Sequence, residues 1–313
     1  MQKKNMITFK RRITLRKLKL FNLTLLFTLI VMSFSTFILQ GTSSAATSYL
    51  MDTKKEYTYS IYNENKKDSK EYVTATFIGK KNEGNLWFFK GKNYILHELY
   101  LQDEESLKVG DPFEDGILYK ELVFPLIEGK KWDAGDGETY KIVSLSNTVK
   151  TPAGTFSTVE VDYDNKTATS YYAPGVGLVK YRDIEGNVME LVKSKDLHYG
   201  RVLIKQQGVK LYTPKGTVQR ALKKGEGLKI FKEDATSYDV GAGYYVKKSK
   251  ETLFYTGFIY SPEQTMDIFA PNSTVHRKAR IGETIRVYGF KDGNFLVGGG
   301  YYIPADYHIR FDR

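Results

Sequence analysis

The stretch YDVGAGYYV at residues 238–246 returns 57 residues later as FLVGGGYYI at 295–303. With this shift, residues 211–246 align with 268–303 without a gap, and 11 of the 36 positions are identical. Unrelated segments of this length share only about two identities, so the pattern indicates an internal duplication. Each unit holds roughly 55 residues of short strands and glycine-rich turns, which is enough for one small β-barrel.

The glycines and tyrosines of the repeated stretch stand together in an apolar run. VGAGYYV at 240–246 predicts a strand bent at its glycines, because glycine inside a strand marks a bulge or a close approach. Neighbouring residues of a strand point to opposite faces, so one member of each pair, Tyr244-Tyr245 and Tyr301-Tyr302, should face the core. The outward tyrosine would then be a flat apolar platform for a sugar ring or a stem peptide. The alternative is that these tyrosines only fill the core and the surface.

Two arginines occupy equivalent positions in the repeat, Arg220 and Arg277. A guanidinium presents a fork of N–H donors, so each could bind a phosphate or a carboxylate of a ligand. A structural salt bridge to Glu226 and Glu283 is the other interpretation. The sequence leaves both alternatives open.

The chain before the repeat also alternates with a period of two, as in EYTYSIY at 56–62 and YVTATFI at 72–78. Clusters of turn residues separate the segments with strand composition. The further strand candidates are 85–90, 94–101, 117–124, 139–147, 156–163, 168–173, 177–182 and 188–193. About ten short strands predict an antiparallel sandwich or half-barrel, so the whole chain belongs to the all-β class.

Residues 1–46 have the three-part layout of a bacterial secretion signal. Eight basic residues precede an apolar run at 20–39, and the small residues Ser43-Ser44-Ala45-Ala46 follow. We expect cleavage after Ala46. The apolar run is near the ~20 residues that span a bilayer, so an uncleaved signal anchor is the alternative.

Charge divides the remaining chain into two parts. The formal net charge of the chain is +11, and eight of the positive charges lie in the predicted signal. Residues 47–198 carry a net charge of −5, and residues 199–313 carry +8. Such a change of sign predicts two modules with different partners. Outside a bacterial cell, a basic module meets anionic wall polymers before it meets nucleic acid; the alternative is that the charge serves solubility alone.

The runs LKKGEGLKI at 222–230 and YDVGAGYYV at 238–246, with their copies IGETIRV at 281–287 and FLVGGGYYI at 295–303, resemble bacterial Src-homology-3-like domains. The resemblance implies small β-barrels, often in tandem, on secreted or wall-attached proteins of Gram-positive bacteria. It also implies peptidoglycan as a ligand.

Three motifs in the first half resemble a module of uncharacterised secreted proteins and lipoproteins from the same bacteria. They are FPLIEGKKW at 124–132, TPAGTF at 151–156 and YYAPGVGLVK at 171–180. This resemblance implies a curved antiparallel sheet or half-barrel and no activity.

The chain lacks the residue patterns of most catalytic and metal sites. It has no cysteine, and its histidines His97, His198, His276 and His308 stand apart, without metal-ligand spacing. No phosphate loop, dinucleotide fingerprint or Gly-x-Ser-x-Gly motif occurs. We interpret the acidic run at 133–138 as a turn rather than a calcium loop. We therefore expect no metal, no cofactor and no enzyme, although a pair of carboxylates that meets only in space stays open.

These observations predict four parts: a signal peptide at 1–46, an antiparallel β-domain at 47–198, and two barrels at 199–260 and 261–313. The predicted function is that of a secreted or wall-associated protein whose barrels bind peptidoglycan or a teichoic-type polymer. The binding candidates are Tyr244, Tyr245, Tyr301, Tyr302, Arg220 and Arg277. The alternatives are a wall hydrolase targeted by the barrels and a membrane-tethered adaptor that holds another envelope protein at 47–198.

Overall fold

The computed structural model describes residues 47–66, 70–92, 95–113, 117–135 and 137–313, which belong to one compact unit. The signal sequence predicted at 1–46 lies outside these residues. The described chain is nearly all β, which confirms the predicted fold class. No helix in this part of the chain is long and apolar enough to cross a membrane.

Twelve antiparallel strands form one large sheet. In chain order they are β1 Lys55–Asn63, β2 Glu71–Lys81, β3 Gly84–Lys90, β4 Ile95–Gln102, β5 Ser106–Gly110, β6 Leu118–Val123, β7 Lys131–Asp133, β8 Thr139–Thr151, β9 Gly154–Tyr163, β10 Ala168–Ala173, β11 Gly177–Asp183 and β12 Asn187–Asp196. Across the sheet the order is β6-β5-β4-β3-β2-β1-β12-β11-β10-β9-β8-β7, so β6 and β7 are the two edges. The sequence prediction lacks the short strands β5 and β7.

The two edges of this sheet meet. Only residues 124–130 connect β6 to β7, and seven residues span at most about 25 Å. The backbone N–H of Lys120 donates a hydrogen bond to the carbonyl of Ala134 at 2.9 Å, and Trp132 Nε1–H donates to the carbonyl of Lys120 at 2.8 Å. The sheet therefore curls into a nearly closed barrel, so the half-barrel prediction describes it better than the sandwich.

Strand β3 is buried on both faces. Trp87 and Phe89 point into the interior of the curled sheet, and Leu86 and Phe88 pack outward against the C-terminal part of the chain. A strand that is covered on both sides needs no polar face, which explains why its sequence, GNLWFFK, does not alternate.

The C-terminal part consists of two sets of eight strands. The first set is β13 Gly200–Ile204, β14 Lys210–Tyr212, β15 Val218–Ala221, β16 Gly227–Ile230, β17 Lys232–Glu233, β18 Ser237–Gly241, β19 Tyr244–Lys247 and β20 Thr252–Tyr255. The second set is β21 Gly257–Tyr260, β22 Met266–Phe269, β23 Val275–Ala279, β24 Ile285–Val287, β25 Gly289–Lys291, β26 Asn294–Gly298, β27 Tyr301–Pro304 and β28 Arg310–Asp312.

The two sets have the same topology. The sheets β16-β13-β20 and β15-β14-β19-β18-β17 of the first set correspond to β24-β21-β28 and β23-β22-β27-β26-β25 of the second. The duplication is therefore longer than the 36 aligned residues. We name residues 199–256 the first repeat and residues 257–313 the second repeat.

The boundary that the sequence places at residue 260 needs a correction. Strand β21, Gly257–Tyr260, pairs with β24 and β28, so these four residues belong to the second repeat. The correspondence between β13 and β21 is not visible in the sequence, because the two strands have only their first residue in common, Gly200 and Gly257. The other positions keep their pairing while the side chains differ.

The repeated glycine stretch is a hairpin rather than one bent strand. In the first repeat β18 ends at Gly241 and β19 begins at Tyr244, and the two residues between them, Ala242 and Gly243, have φ of 52° and 75°. Two successive positive φ angles reverse the chain in a tight turn, which explains the glycine. Gly299 and Gly300 make the same turn in the second repeat, with φ of 61° and 81°.

The second repeat shares a hydrophobic core with the outer face of the large sheet. Leu86, Phe88 and Leu99 of the sheet pack with Phe295 and Phe311 of the repeat, and all five are at most 6% exposed. Gly79 on β2 permits this approach, because an added Cβ would lie 2.4 Å from a ring carbon of Phe290. The first repeat has a core of its own, which includes Val202, Ile230 and Val246.

The repeats are joined to each other with almost no free chain. Thr256 alone separates β20 from β21, and its N–H and hydroxyl both donate hydrogen bonds to the carbonyl of Val287, at 2.7 and 3.0 Å. The buried guanidinium of Arg313 donates to the carbonyls of Phe77 and Tyr199, each at 2.6 Å. Arg313 therefore links the large sheet, the second repeat and the start of the first repeat.

Candidate functional site

The positive charge of residues 199–313 is concentrated in the first repeat. Residues 199–256 contain 12 Lys and Arg against five Asp and Glu, a net charge of +7. Residues 257–313 contain seven against six, a net charge of +1. Two repeats with one topology therefore differ in net charge, and so in the electrostatic potential around them.

Most of the acidic groups of the first repeat are occupied by local contacts. Glu226 binds Arg220, and Glu233 binds Lys248 at 2.6 Å. The carboxylate of Asp234 accepts hydrogen bonds from the N–H and hydroxyl groups of Thr236 and Ser237, which lower its pKa. Several lysines of this repeat form no ion pair with a described residue, namely Lys205, Lys210, Lys215, Lys223, Lys224, Lys229, Lys232 and Lys247.

An open cleft of about 350 Å³ lies on the surface of the first repeat. The residues that line it come from the loop before β14, from β14, and from the end of β19 with the loop after it. They are Gln207, Gly208, Val209, Lys210, Tyr212, Lys247, Ser249 and Glu251. We name this surface the basic cleft.

Tyr212 forms an aromatic wall of the basic cleft, and Tyr245 stacks behind it. Tyr212 and Tyr245 are direct partners on β14 and β19, and their rings stack with centroids 5.1 Å apart and an interplanar angle of 13°. Lys247 Nζ lies 4.9 Å from the centre of the Tyr212 ring, within the range of a cation–π contact. The cleft thus presents an aromatic edge and two exposed ammonium groups, those of Lys210 and Lys247.

One carboxylate also lines the basic cleft, and its charge is partly neutralised. Lys250 Nζ lies 4.0 Å from Glu251 Oε1. A hydrogen bond from Ser249 lowers the pKa of Glu251, so the group is ionised and paired at neutral pH. Lys205 Nζ donates to the carbonyl of Lys250 at 2.7 Å, which places a further positive charge beside the cleft.

The second repeat keeps the aromatic pair and loses the lysines. Phe269 and Tyr302 stack with centroids 5.5 Å apart and an interplanar angle of 16°. The positions that correspond to Lys210 and Lys247 at the 57-residue shift are Asp267 and Pro304. Asp267 pairs with Lys278 at 3.5 Å. The residues around this aromatic pair therefore lack the positive charge of the basic cleft.

Both arginines singled out in the sequence lie in salt bridges within their own repeats. Arg220 contacts the two carboxylate oxygens of Glu226 at 2.5 and 3.1 Å, and Arg277 contacts those of Glu283 at 2.7 and 3.1 Å. Each glutamate also accepts a backbone N–H from the following turn, for example that of Lys223. Both guanidinium groups therefore have carboxylate partners within the protein, as in the salt-bridge interpretation of the sequence.

Replacement of Arg220 by glutamine should change stability only slightly. The pair is partly exposed, and exposed ion pairs contribute little to the free energy of unfolding because water and salt screen their charges. Urea denaturation of residues 47–313 measures this change. A loss above about 2 kcal/mol would show that the pair is a structural clamp rather than a surface contact.

The four candidate tyrosines are all partly exposed. Tyr244, Tyr245, Tyr301 and Tyr302 are intermediate in burial, and the buried residues that follow them are Val246 and Ile303. In the second repeat Tyr301 packs against the hydrophobic core while Tyr302 stacks with Phe269, as the alternation of a strand predicts. Tyr245 lies in the stacked pair behind the basic cleft, whereas Tyr301 contacts the ring of His276 at 4.7 Å.

The histidines do not gather into a metal site in the described part of the chain, where no group of three His, Asp or Glu has suitable geometry. His97 is packed between Phe88 and Phe113, and burial lowers its pKa to about 3. In the acidic run at 133–138, the carboxylate of Asp133 accepts the backbone N–H groups of Gly135 and Gly137, as in a turn.

Two carboxyl groups lie among buried tyrosines in the interior of the curled sheet, Glu98 on β4 and Glu121 on β6. Tyr100 donates its hydroxyl to Glu98 at 2.6 Å, and Tyr163 and Tyr172 donate theirs to Glu121 at 2.9 and 2.8 Å. Burial raises the pKa of Glu98 to about 7; the hydrogen bond from Tyr100 opposes this shift, and the charge of Glu121 adds to it. Hydrogen bonds from tyrosine hydroxyls thus fix the positions of both carboxyl groups inside the curled sheet.

Lys210, Tyr212 and Lys247 are not among the binding candidates that the sequence predicts. A signal for them exists in the alignment of the repeats, where lysine stands opposite aspartate or proline while the aromatic positions are kept. Positions at which two copies agree report the shared fold. Positions at which the two copies differ in charge indicate a property that only one copy has.

Comparison with known proteins gives two structural matches. No family model matches the chain, and no curated protein matches it. A Bacteroides fragilis protein that is inferred to be exported and has a YmcC-like fold is 15% identical with a TM-score of 0.34. An inferred lipoprotein of Parabacteroides distasonis is 12% identical with a TM-score of 0.28. Each match covers 49% of this chain and 100% of the other.

Proposed function

We propose that this chain is an exported, non-catalytic protein of the cell surface that binds a cell-wall polymer through its C-terminal repeats. The observation that carries the proposal is the set of unpaired lysines on the first repeat, next to an open cleft with an aromatic wall. Positive charge attracts an anionic polymer over a distance, and an aromatic face packs against sugar rings.

Two sequence features support the cellular setting. Residues 1–46 resemble a secretion signal, which leads to the cell surface or the medium, or to the membrane if the signal is retained. The repeats resemble Src-homology-3-like barrels of Gram-positive wall proteins, whose ligands include peptidoglycan. The large sheet then has the role of a rigid body that carries the second repeat on its outer face.

A sedimentation assay with purified wall sacculi tests the proposal. Residues 47–313 should be retained at low ionic strength and released as salt rises, because exposed charges are screened within about 8 Å at 0.15 M salt. A matched protein of similar size and acidic charge is the negative control. Absence of retention at 20 mM salt would contradict the proposal.

A further inference from the structure

We infer that the two repeats are not equivalent binding modules: the first repeat alone binds, and its ligand is a phosphate-bearing chain of sugar or polyol units. The phosphate lies between Lys210 and Lys247, and the adjoining sugar or polyol packs on Tyr212. This inference rests on the proposed function and specifies its site and its ligand.

The two ammonium groups are available to a ligand. Lys210 and Lys247 are exposed and have no carboxylate partner among the described residues. They come from different strands, β14 and β19, and line one cleft. The single carboxylate there, Glu251, is held by Ser249 and Lys250, so an arriving anion meets a net positive surface.

The donors favour phosphate over a carboxylate of a stem peptide. Bidentate binding of a carboxylate is the geometry of arginine, and the fork of Arg220 is already engaged by Glu226. Lysine acts as a point charge that suits a phosphate group, whose charge is spread over several oxygens. A volume of about 350 Å³ accommodates one small ring with its phosphate.

The lysines outside the cleft favour a polymer over a single small anion. Lys205 lies beside the cleft, and Lys215, Lys223 and Lys224 are exposed elsewhere on the same repeat without an ion pair in the described chain. A chain with one negative charge per unit can contact several of these groups at once. A mobile small anion gains only one such contact.

The second repeat cannot bind the same ligand in the same way. Its aromatic pair is flanked by Asp267 and Pro304 instead of two lysines, and its core is shared with the large sheet. Duplication has therefore produced one repeat with a binding surface and one repeat that attaches it to the sheet.

Two wall preparations and two double variants test the inference. Residues 47–313 are sedimented with sacculi before and after cold hydrofluoric acid, which removes phosphodiester-linked polymers and leaves peptidoglycan. The variant Lys210→Gln/Lys247→Gln removes the cleft charges. The control Lys141→Gln/Lys150→Gln removes the same charge from exposed positions on β8 of the large sheet, outside both repeats. Circular dichroism and melting temperature establish that each variant is folded.

We expect the wild type to lose its retention after acid treatment, and the cleft variant to bind untreated sacculi about tenfold more weakly, which corresponds to about 1.4 kcal/mol. The control variant should bind within about threefold of the wild type, because salt screens exposed charges that do not contact the ligand. Glycerol phosphate should release bound protein better than acetate at equal ionic strength, a result that needs no variant.

The outcomes separate the two claims. Equal retention on treated and untreated sacculi would overturn the phosphate assignment and leave wall binding intact. Equal weakening in the cleft and control variants would overturn the cleft. If the wild type binds neither preparation, the proposed function itself fails.

Discussion

Replacement of Glu98 by glutamine should remove the loss of stability that the wild type shows as pH rises through 7 toward pH 9. The pKa of Glu98 is raised from 4.5 to about 7 in the folded protein by burial, so folding favours its protonated form. This contribution to stability is fully present below pH 4.5 and is lost as pH rises through 7. At 1.36 kcal/mol per pKa unit the full effect is about 3 kcal/mol, and the partial exposure of Glu98 reduces it to about 2 kcal/mol.

The Glu98→Gln protein should therefore resemble the wild type at pH 5 and be more stable by about 2 kcal/mol at pH 9. Glutamine keeps an acceptor for the Tyr100 hydroxyl and cannot ionise beside Glu121. Urea denaturation at pH 5, 7 and 9 measures the difference, with the exposed Glu104→Gln as the control. The same loss of stability with pH in Glu98→Gln and wild type would show that another group causes it.

Replacement of Phe88 by alanine should destabilise the large sheet and the second repeat together. Phe88 is 1% exposed and lies in the core that the two share. Truncation of a buried phenylalanine costs about 3–5 kcal/mol. Because the core is common, the loss should appear as one cooperative transition at a lower temperature, not as the release of a folded repeat.

Calorimetry together with near- and far-ultraviolet circular dichroism tests this expectation, with Leu296→Ala as the matched control. Leu296 is 37% exposed in the second repeat, so its truncation should cost far less than that of Phe88. Two separate transitions in Phe88→Ala, one of them at the wild-type temperature, would show that the parts fold independently.

The sequence predicted those features that depend on neighbouring residues. Strands β1 and β2 follow from strict alternation, and the repeat follows from identities at a fixed shift. The sequence predicts a bent strand where the structure has the hairpin at 241–244, because glycine composition alone does not distinguish a bulge from a tight turn. The φ angles of Ala242 and Gly243 decide between them.

Features that depend on distant parts of the chain could not be predicted. Glu121 meets Tyr163 and Tyr172 only because the sheet curls until its edges touch, and no local pattern encodes that curvature. The candidate cleft is an intermediate case. Its lysines are visible in the alignment, but their position beside a stacked tyrosine pair depends on the pairing of β14 with β19.

The short connection at Thr256 has a mechanical consequence. A tension applied to the first repeat meets no slack at this point, because one residue joins the two repeats and its own hydrogen bonds hold it to Val287. Force would then pass into the core around Phe88 and Phe311, where strands resist shear collectively. A connection built in this way transmits tension from the first repeat to the second without a hinge.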